Sequence, residues 1–394
     1  MVLDLGPRGA ESSSGAPVET PLRIAILLDP FALTVKGGEY VPRLAQELLD
    51  RGHMVRGFGA PAGVIPRSGP EASVAGGLEV PGVVAFQPDV IVAHDALSPA
   101  AFLGARAARR LEVPLVLIEP GVLLGGRWHE RLLRWLGERL WGPLVRRRTS
   151  AVVALDPPAR DQALAEGFEP SIVRVLPRGV DVAAFRPGLS SHIVRSHRIS
   201  GRILLYVGRI DADRGLEVLV QAFARTLGQG PDWALVLAGE GTGQARQSIR
   251  ALVERQGVGA RVHWLPGPRP EELPGLLGSA SLLAVPALDD RVRGLHAPRA
   301  LACGVPVLAS RLPRLEAVVE EDGSGLLAEP GSLEDWCAVL QRAGGSPQAR
   351  RRWAEHARSE AERRFSWSAV GEAFEAALRE CAEGPPQGGP SSSD

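Results

Sequence analysis

Two arginines flank a turn in Tyr206-Val-Gly-Arg-Ile-Asp-Ala-Asp-Arg-Gly-Leu-Glu217. Arg209 follows an apolar run and Arg214 opens an amphipathic one, so two fixed cations bracket a strand-to-helix turn. A diphosphate suits such a pair, because charge-assisted hydrogen bonds are roughly twice as strong as neutral ones. Solvated surface arginines are the plainer reading of the same letters. A second glycine turn, Leu237-Ala-Gly-Glu-Gly-Thr-Gly243, ends another apolar run at Gly239 and leaves its backbone open to close approach. A third, Gly37-Gly38, follows an apolar run and precedes an amphipathic one, where free amides and the helix dipole favour an anion. A tight turn needing positive φ accounts for that pair equally well.

The elements that must hold these turns are legible as a rhythm of short apolar runs and longer amphipathic stretches, the pattern of strands joined by crossover helices in a parallel sheet. Leu22–Asp29 reads as the first buried strand and Tyr40–Arg51 as a helix stopped by Gly52. Strands follow at Val90–Ala93, Leu115–Ile118, Ala151–Leu155 and Val173–Leu176. A second series runs through Arg202–Arg209, Trp233–Gly239, Val262–Leu265, Ser281–Val285, Val305–Ala309 and Gly325–Leu327. Two such series imply two doubly wound domains, with ligands outside the carboxyl ends of the strands and hence in the cleft between them.

Residues 1–20 and 383–394 are rich in Gly, Pro and Ser and read as disordered tails. The N-terminal domain is placed at 21–182, a linker at 183–200, and the C-terminal domain at 201–365. A last helix, 366–382, crosses back to the first domain.

Composition sets limits on function. The chain has 394 residues, enough for two cores, and 45 basic residues balance 45 acidic ones, which speaks against a general nucleic-acid binder. Lys36 is the only lysine. The cationic groups are therefore arginines, planar forks suited to phosphate or carboxylate. Cys303, Cys337 and Cys381 show no metal-ligand spacing, and an odd count fits a reducing compartment. Neither a signal peptide nor an apolar run long enough to span a bilayer is evident, so a cytoplasmic location is expected; the scattered cysteines suggest no metal site, and no cofactor is expected.

With these motifs in order, the chain resembles the family 4 (group 1) retaining glycosyltransferases. The resemblance is carried by Gly37-Gly38-Glu39, Arg51-Gly-His-Met-Val55, Pro88–Asp95, Leu176–Pro187, Val207-Gly-Arg209, Arg214-Gly-Leu216, Leu237–Gly241, Ala302–Val307 and Gly323–Leu327. It implies the GT-B fold, two Rossmann-like domains facing a central cleft, and transfer of a sugar from a nucleotide-sugar with retention of configuration. By the same resemblance, Gly37, Gly38, Arg209 and Arg214 would hold the donor diphosphate. The amides of Val292, Arg293 and Gly294 would meet its phosphate or sugar, and Leu265 would line the base pocket. The acceptor, a glycan, lipid or small molecule, stays open.

Three positions depart from the family pattern. Arg291 and Arg299 stand where the family has two glutamates eight residues apart, and Pro120 where many members have a histidine. Arginine cannot accept a hydrogen bond, so neither replacement can do what a carboxylate does there. Arg209, Arg214, Arg291, Arg293 and Arg299 could surround one pocket, which would then need a strongly anionic ligand, or turn outward. Asp289 and Asp290 could pair with part of this charge. Glu119 and His94 are candidates for the polar group near the acceptor, a loop or capping role being the alternative for His94. A GT-B binding or scaffold protein without transfer chemistry is the second functional reading.

Residues 127–148 place Trp128, Leu132, Trp135, Leu136 and Leu140 at helical spacing before Arg146-Arg147-Arg148. Such a helix suits peripheral contact with an anionic membrane, and packing within the first domain is the alternative.

Overall fold

A computed structural model describes residues 20–28, 40–59, 80–121 and 135–383. Gly37, Gly38 and residues 127–134 lie outside them.

Two six-stranded parallel sheets organise the chain. The first contains β1 (Arg23–Leu27), β2 (Met54–Phe58), β3 (Val90–His94), β4 (Leu115–Glu119), β5 (Thr149–Ala154) and β6 (Val173–Val175), in the order β2-β1-β3-β4-β5-β6. The second contains β7 (Arg202–Val207), β8 (Trp233–Ala238), β9 (Val262–Leu265), β10 (Leu282–Val285), β11 (Val307–Ser310) and β12 (Gly325–Ala328), in the order β12-β11-β10-β7-β8-β9. Strand order reverses beside β1 in the first sheet and beside β7 in the second. At such a switch point adjacent loops leave in opposite directions and open a crevice for a ligand.

The strands are apolar throughout because both faces of each sheet are covered. In β7, Ile203 and Leu205 enter one core with the helices Leu273–Gly278 and His296–Ala302. Leu204 and Tyr206 enter the opposite core with Leu216–Arg225, Gly243–Arg255 and the fully buried Trp336. In the first domain the helix Pro99–Leu111 is capped by Ser98, whose hydroxyl accepts the Ala101 N–H. Its small face packs so closely that a Cβ on Gly104 would lie 3.2 Å from Leu115.

β2 is absent from the sequence reading. Its letters, Met-Val-Arg-Gly-Phe, break the apolar run with Arg56 and Gly57, which an edge strand tolerates. The Arg56 guanidinium covers the Phe86 ring at 4.8 Å.

The chain end ties the halves together. After the helix Pro347–Glu360, a wider turn at Ala361–Phe365 precedes the helix Trp367–Glu383. Phe374 and Leu378 of this last helix are buried in the first domain's core. Glu375 lies 3.1 Å from His53 and 3.2 Å from Arg51, giving the Arg51-Gly-His segment a structural role. At the crossing, the Val180 N–H donates to the Phe365 carbonyl, and Trp367 lies so close to Gly179 that a Cβ there would be 2.3 Å from its ring.

Candidate active site between the two domains

The switch point of the second sheet brings together the turn after β7 and the loop after β10. Gly208 and Gly215 have φ of +156° and +67°. A Cβ on Gly215 would sit 1.7 Å from the Pro286 carbonyl oxygen, so only glycine lets the two segments touch. The Leu288 N–H donates to the Asp213 carbonyl and completes the contact. Gly239, after β8, meets this turn from the other side, because its Cβ would lie 1.7 Å from the Gly208 carbonyl oxygen. Three of the sequence motifs thus form one backbone cluster.

The side chains of the expected donor residues are arranged differently from a bare basic pocket. Arg209 is exposed and its Nε lies 2.6 Å from Asp211. Arg214 lies 3.2 Å from Asp213. Arg291 is exposed, and Asp289 accepts its backbone N–H at 2.9 Å, its Nε at 2.8 Å and its Nη2 at 2.5 Å. Each cation therefore has an aspartate one or two residues away. The loop is locally neutral around Arg291, and Asp289 is held below the usual carboxylate range by its bonds to Arg291.

Arg299 lies on the helix His296–Ala302, its guanidinium 5.4 Å from the centre of the Phe185 ring. The Val292 N–H is turned to the Asp289 carbonyl, and Gly294 takes φ +59° two residues before that helix starts. Leu265 is buried in the core. The structure therefore gathers Arg209, Arg214, Gly239, Arg291 and the 292–294 backbone around the switch point, while Arg299 faces Phe185 and Leu265 faces the core.

The first domain faces this cluster with the ends of β3 to β6. His94 is 5% exposed, and burial, opposed by the Leu27 carbonyl, pushes its pKa down to about 4, so its ring is neutral at pH 7. Glu119 is buried, accepting the Gly121 N–H at 3.3 Å and the Gln162 side chain at 3.4 Å.

Three residues that sequence reasoning passed over complete the cleft. Asp156 caps the helix Pro157–Ala165 through the Ala159 N–H. Its carboxylate is gripped by Arg314, with Nε–Oδ2 at 2.9 Å and Nη2–Oδ1 at 3.3 Å. Arg314 comes from the short helix Pro313–Glu316 after β11, and its Nη1 also donates to the Asp290 carbonyl at 2.5 Å. One buried guanidinium thus joins the loop after β10 to the opposite domain. Arg178, after β6, donates to the Pro120 carbonyl at 3.1 Å. The signal that could have found all three is position, since each follows the carboxyl end of a parallel strand.

Among the described residues one group could hold a metal ion, Glu320, His356 and Glu360, where Arg364 already pairs with Glu360.

Two doubly wound domains closing on a cleft at their switch points define the GT-B class of fold, and solved glycosyltransferases share it. The Anabaena protein Alr3699/HepE in complex with UDP superposes with TM-score 0.71 at 20% identity, covering 91% of this chain and 100% of that one. A glycosyltransferase from Rickettsia africae superposes with TM-score 0.70 at 14% identity, covering 92% and 98%. Residues 37–179 match the glycosyl transferase 4-like domain, and residues 193–360 match glycosyl transferases group 1. A D-inositol 3-phosphate glycosyltransferase of Jonesia denitrificans is 31% identical over 297 residues, 71% of this chain and 68% of that one. One of Corynebacterium jeikeium is 34% identical over 225 residues, 54% and 53% of the two chains. The chain belongs to the group 1 glycosyltransferase family. The matches span about half to two thirds of the length of these curated relatives.

Proposed function

We propose that the protein is a glycosyltransferase that moves a sugar from a nucleotide-sugar to a hydroxyl of a phosphorylated polyol, with retention of configuration. The observation that carries this reading is the convergence of the β7 turn and the β10 loop, opposite a first-domain wall that contains Arg178, His94 and Glu119. The relatives named for D-inositol 3-phosphate support an inositol phosphate as the acceptor.

Chemically, the departing nucleoside diphosphate develops negative charge, and fixed guanidinium groups and backbone dipoles stabilise it without reorganisation. The leaving phosphate can itself take the acceptor proton on the face from which it departs, which gives retention. Neutral His94 is suited to accepting a hydrogen bond from a sugar or acceptor hydroxyl. No step in this scheme requires a metal ion.

Adding a panel of nucleotide-sugars together with inositol 3-phosphate tests the proposal. Nucleotide release that depends on both substrates, with the donor's anomeric configuration kept in the product, is expected. Saturable nucleotide binding without release favours the second reading, a binding protein of the same fold. That reading draws support from Arg291, which offers no carboxylate and is engaged by Asp289.

No described helix is long and apolar enough to cross a membrane. Trp135 and Leu140 are nevertheless exposed, close in sequence to Arg146, Arg147 and Arg148. Their exposure supports peripheral contact with anionic lipid, which vesicles with and without phosphatidylserine would detect by co-sedimentation.

A further inference from the structure

The loop after β10 is held at its start, its middle and its end. Its start is fixed by the β7 turn, because Gly215 lies against the Pro286 carbonyl and the Leu288 N–H donates to the Asp213 carbonyl. Its end rests on the helix Pro313–Glu316, since a Cβ on Gly294 would lie 2.5 Å from Leu315 Cδ2. Between these points the Asp290 carbonyl accepts Arg314 Nη1 at 2.5 Å.

The middle contact continues into the first domain. Arg314 Nε and Nη2 reach the Asp156 carboxylate at 2.9 and 3.3 Å, and the helix Pro313–Glu316 lies against the helix Pro157–Ala165 that Asp156 caps. Asp156 is itself held from behind. Gly121 takes φ +67°, and a Cβ there would lie 3.2 Å from Ala159 Cβ and 3.4 Å from Asp156 Oδ1. A guanidinium is a rigid planar fork, so its grip on Asp156 fixes the direction of Nη1 as well. The place of the Asp290 carbonyl thus depends on where the first domain holds one carboxylate.

We propose that Arg314 is a positioning residue for nucleotide-sugar binding, through which Asp156 of the opposite domain sets the shape of the loop after β10. The inference rests on the transfer reading above, under which the 292–294 backbone of that loop meets the donor. It ties the grip on the nucleotide to the seating of the two domains against each other.

Binding without turnover tests it. The full chain is titrated by calorimetry with UDP, GDP, ADP and dTDP, and the diphosphate bound most tightly is then used with the variants. Arg314→Lys keeps a cation beside Asp156 but gathers its donors on one atom, which cannot span Asp156 and the Asp290 carbonyl. It is expected to weaken binding by about tenfold to a hundredfold, the size of a lost hydrogen bond from a charged donor. Asp156→Asn still offers an oxygen to the Ala159 N–H, so its helix stays capped while the hold on Arg314 loosens. A loss of about threefold to tenfold is expected there, since a neutral acceptor makes roughly half the bond. The double variant should bind no more weakly than Arg314→Lys alone, because Asp156 acts through Arg314. A merely structural role would lower the melting temperature and leave the affinity of the folded protein unchanged, so a thermal melt accompanies each titration. Unchanged affinity in Asp156→Asn, or losses that add in the double variant, overturns the positioning role while leaving the transfer reading intact. Asp156→Asn carries the test by itself where Arg314→Lys fails to fold. Wild-type protein that binds none of the four diphosphates overturns both.

Discussion

The Arg314 guanidinium lies 2.9 Å from the Asp156 carboxylate, and the two residues belong to opposite domains. Their side chains are only 6% and 12% exposed, so this contact differs in kind from the surface pairs elsewhere in the chain. Asp156 also caps a helix of the first domain, and Arg314 also holds the carbonyl of Asp290 in the loop after β10. The contact between the two domains and the shape of the loop after β10 are therefore linked through one side chain.

Replacing Arg314 by Met should leave Asp156 buried without its partner, at a cost of about 3–5 kcal/mol. Asp156→Asn should cost less, because asparagine still caps the helix. Urea denaturation followed by tryptophan fluorescence measures both, and equal losses would contradict the assignment.

Gly215→Ala and Gly239→Ala each place a methyl group 1.7 Å from a carbonyl oxygen, that of Pro286 or Gly208. Overpacking of this kind costs about 1–3 kcal/mol, and Gly215 adds the strain of φ +67°. Both variants should lose nucleotide affinity with the fold retained, as read by calorimetry and circular dichroism.

Arg291→Ala should leave nucleotide affinity nearly unchanged, whereas Asp289→Ala should lower it. In the first variant Asp289 still accepts the backbone N–H of residue 291; in the second the loop loses all three bonds. A large loss in Arg291→Ala, measured by the same titration, would mean that Arg291 touches the donor directly.

His94 gives the protein an acid-sensitive limb. Its folded pKa of about 4 lies below the ordinary 6.5, so between these values the unfolded chain binds the extra proton. Its contribution, on the order of 3 kcal/mol, is complete above pH 6.5 and is lost as pH falls towards 4. His94→Gln should flatten the stability profile over that window, and an unchanged profile would contradict burial of the neutral ring.

Much of the fold was legible because strands buried on both faces are written as unbroken apolar runs, as at Leu115–Ile118 and Trp233–Gly239. β2 was not, since an edge strand carries Arg56 and Gly57 without penalty. Glycine turns such as Gly208, Gly215 and Gly239 were legible because backbone proximity restricts them to one residue type. The pairing of Arg209, Arg214 and Arg291 was legible only in outline, from aspartates close by in sequence. Asp156, Arg178 and Arg314 went unread because their meaning lies in contacts between residues 58 to 158 positions apart.

Sugar transfer is tested most directly by a product assay: purified protein, a UDP-sugar and inositol 3-phosphate, followed by proton NMR of the anomeric signal. UDP release that requires the acceptor is expected, together with a new glycoside of the donor's configuration. Saturating UDP binding with no glycoside from any nucleotide-sugar in the panel would contradict it.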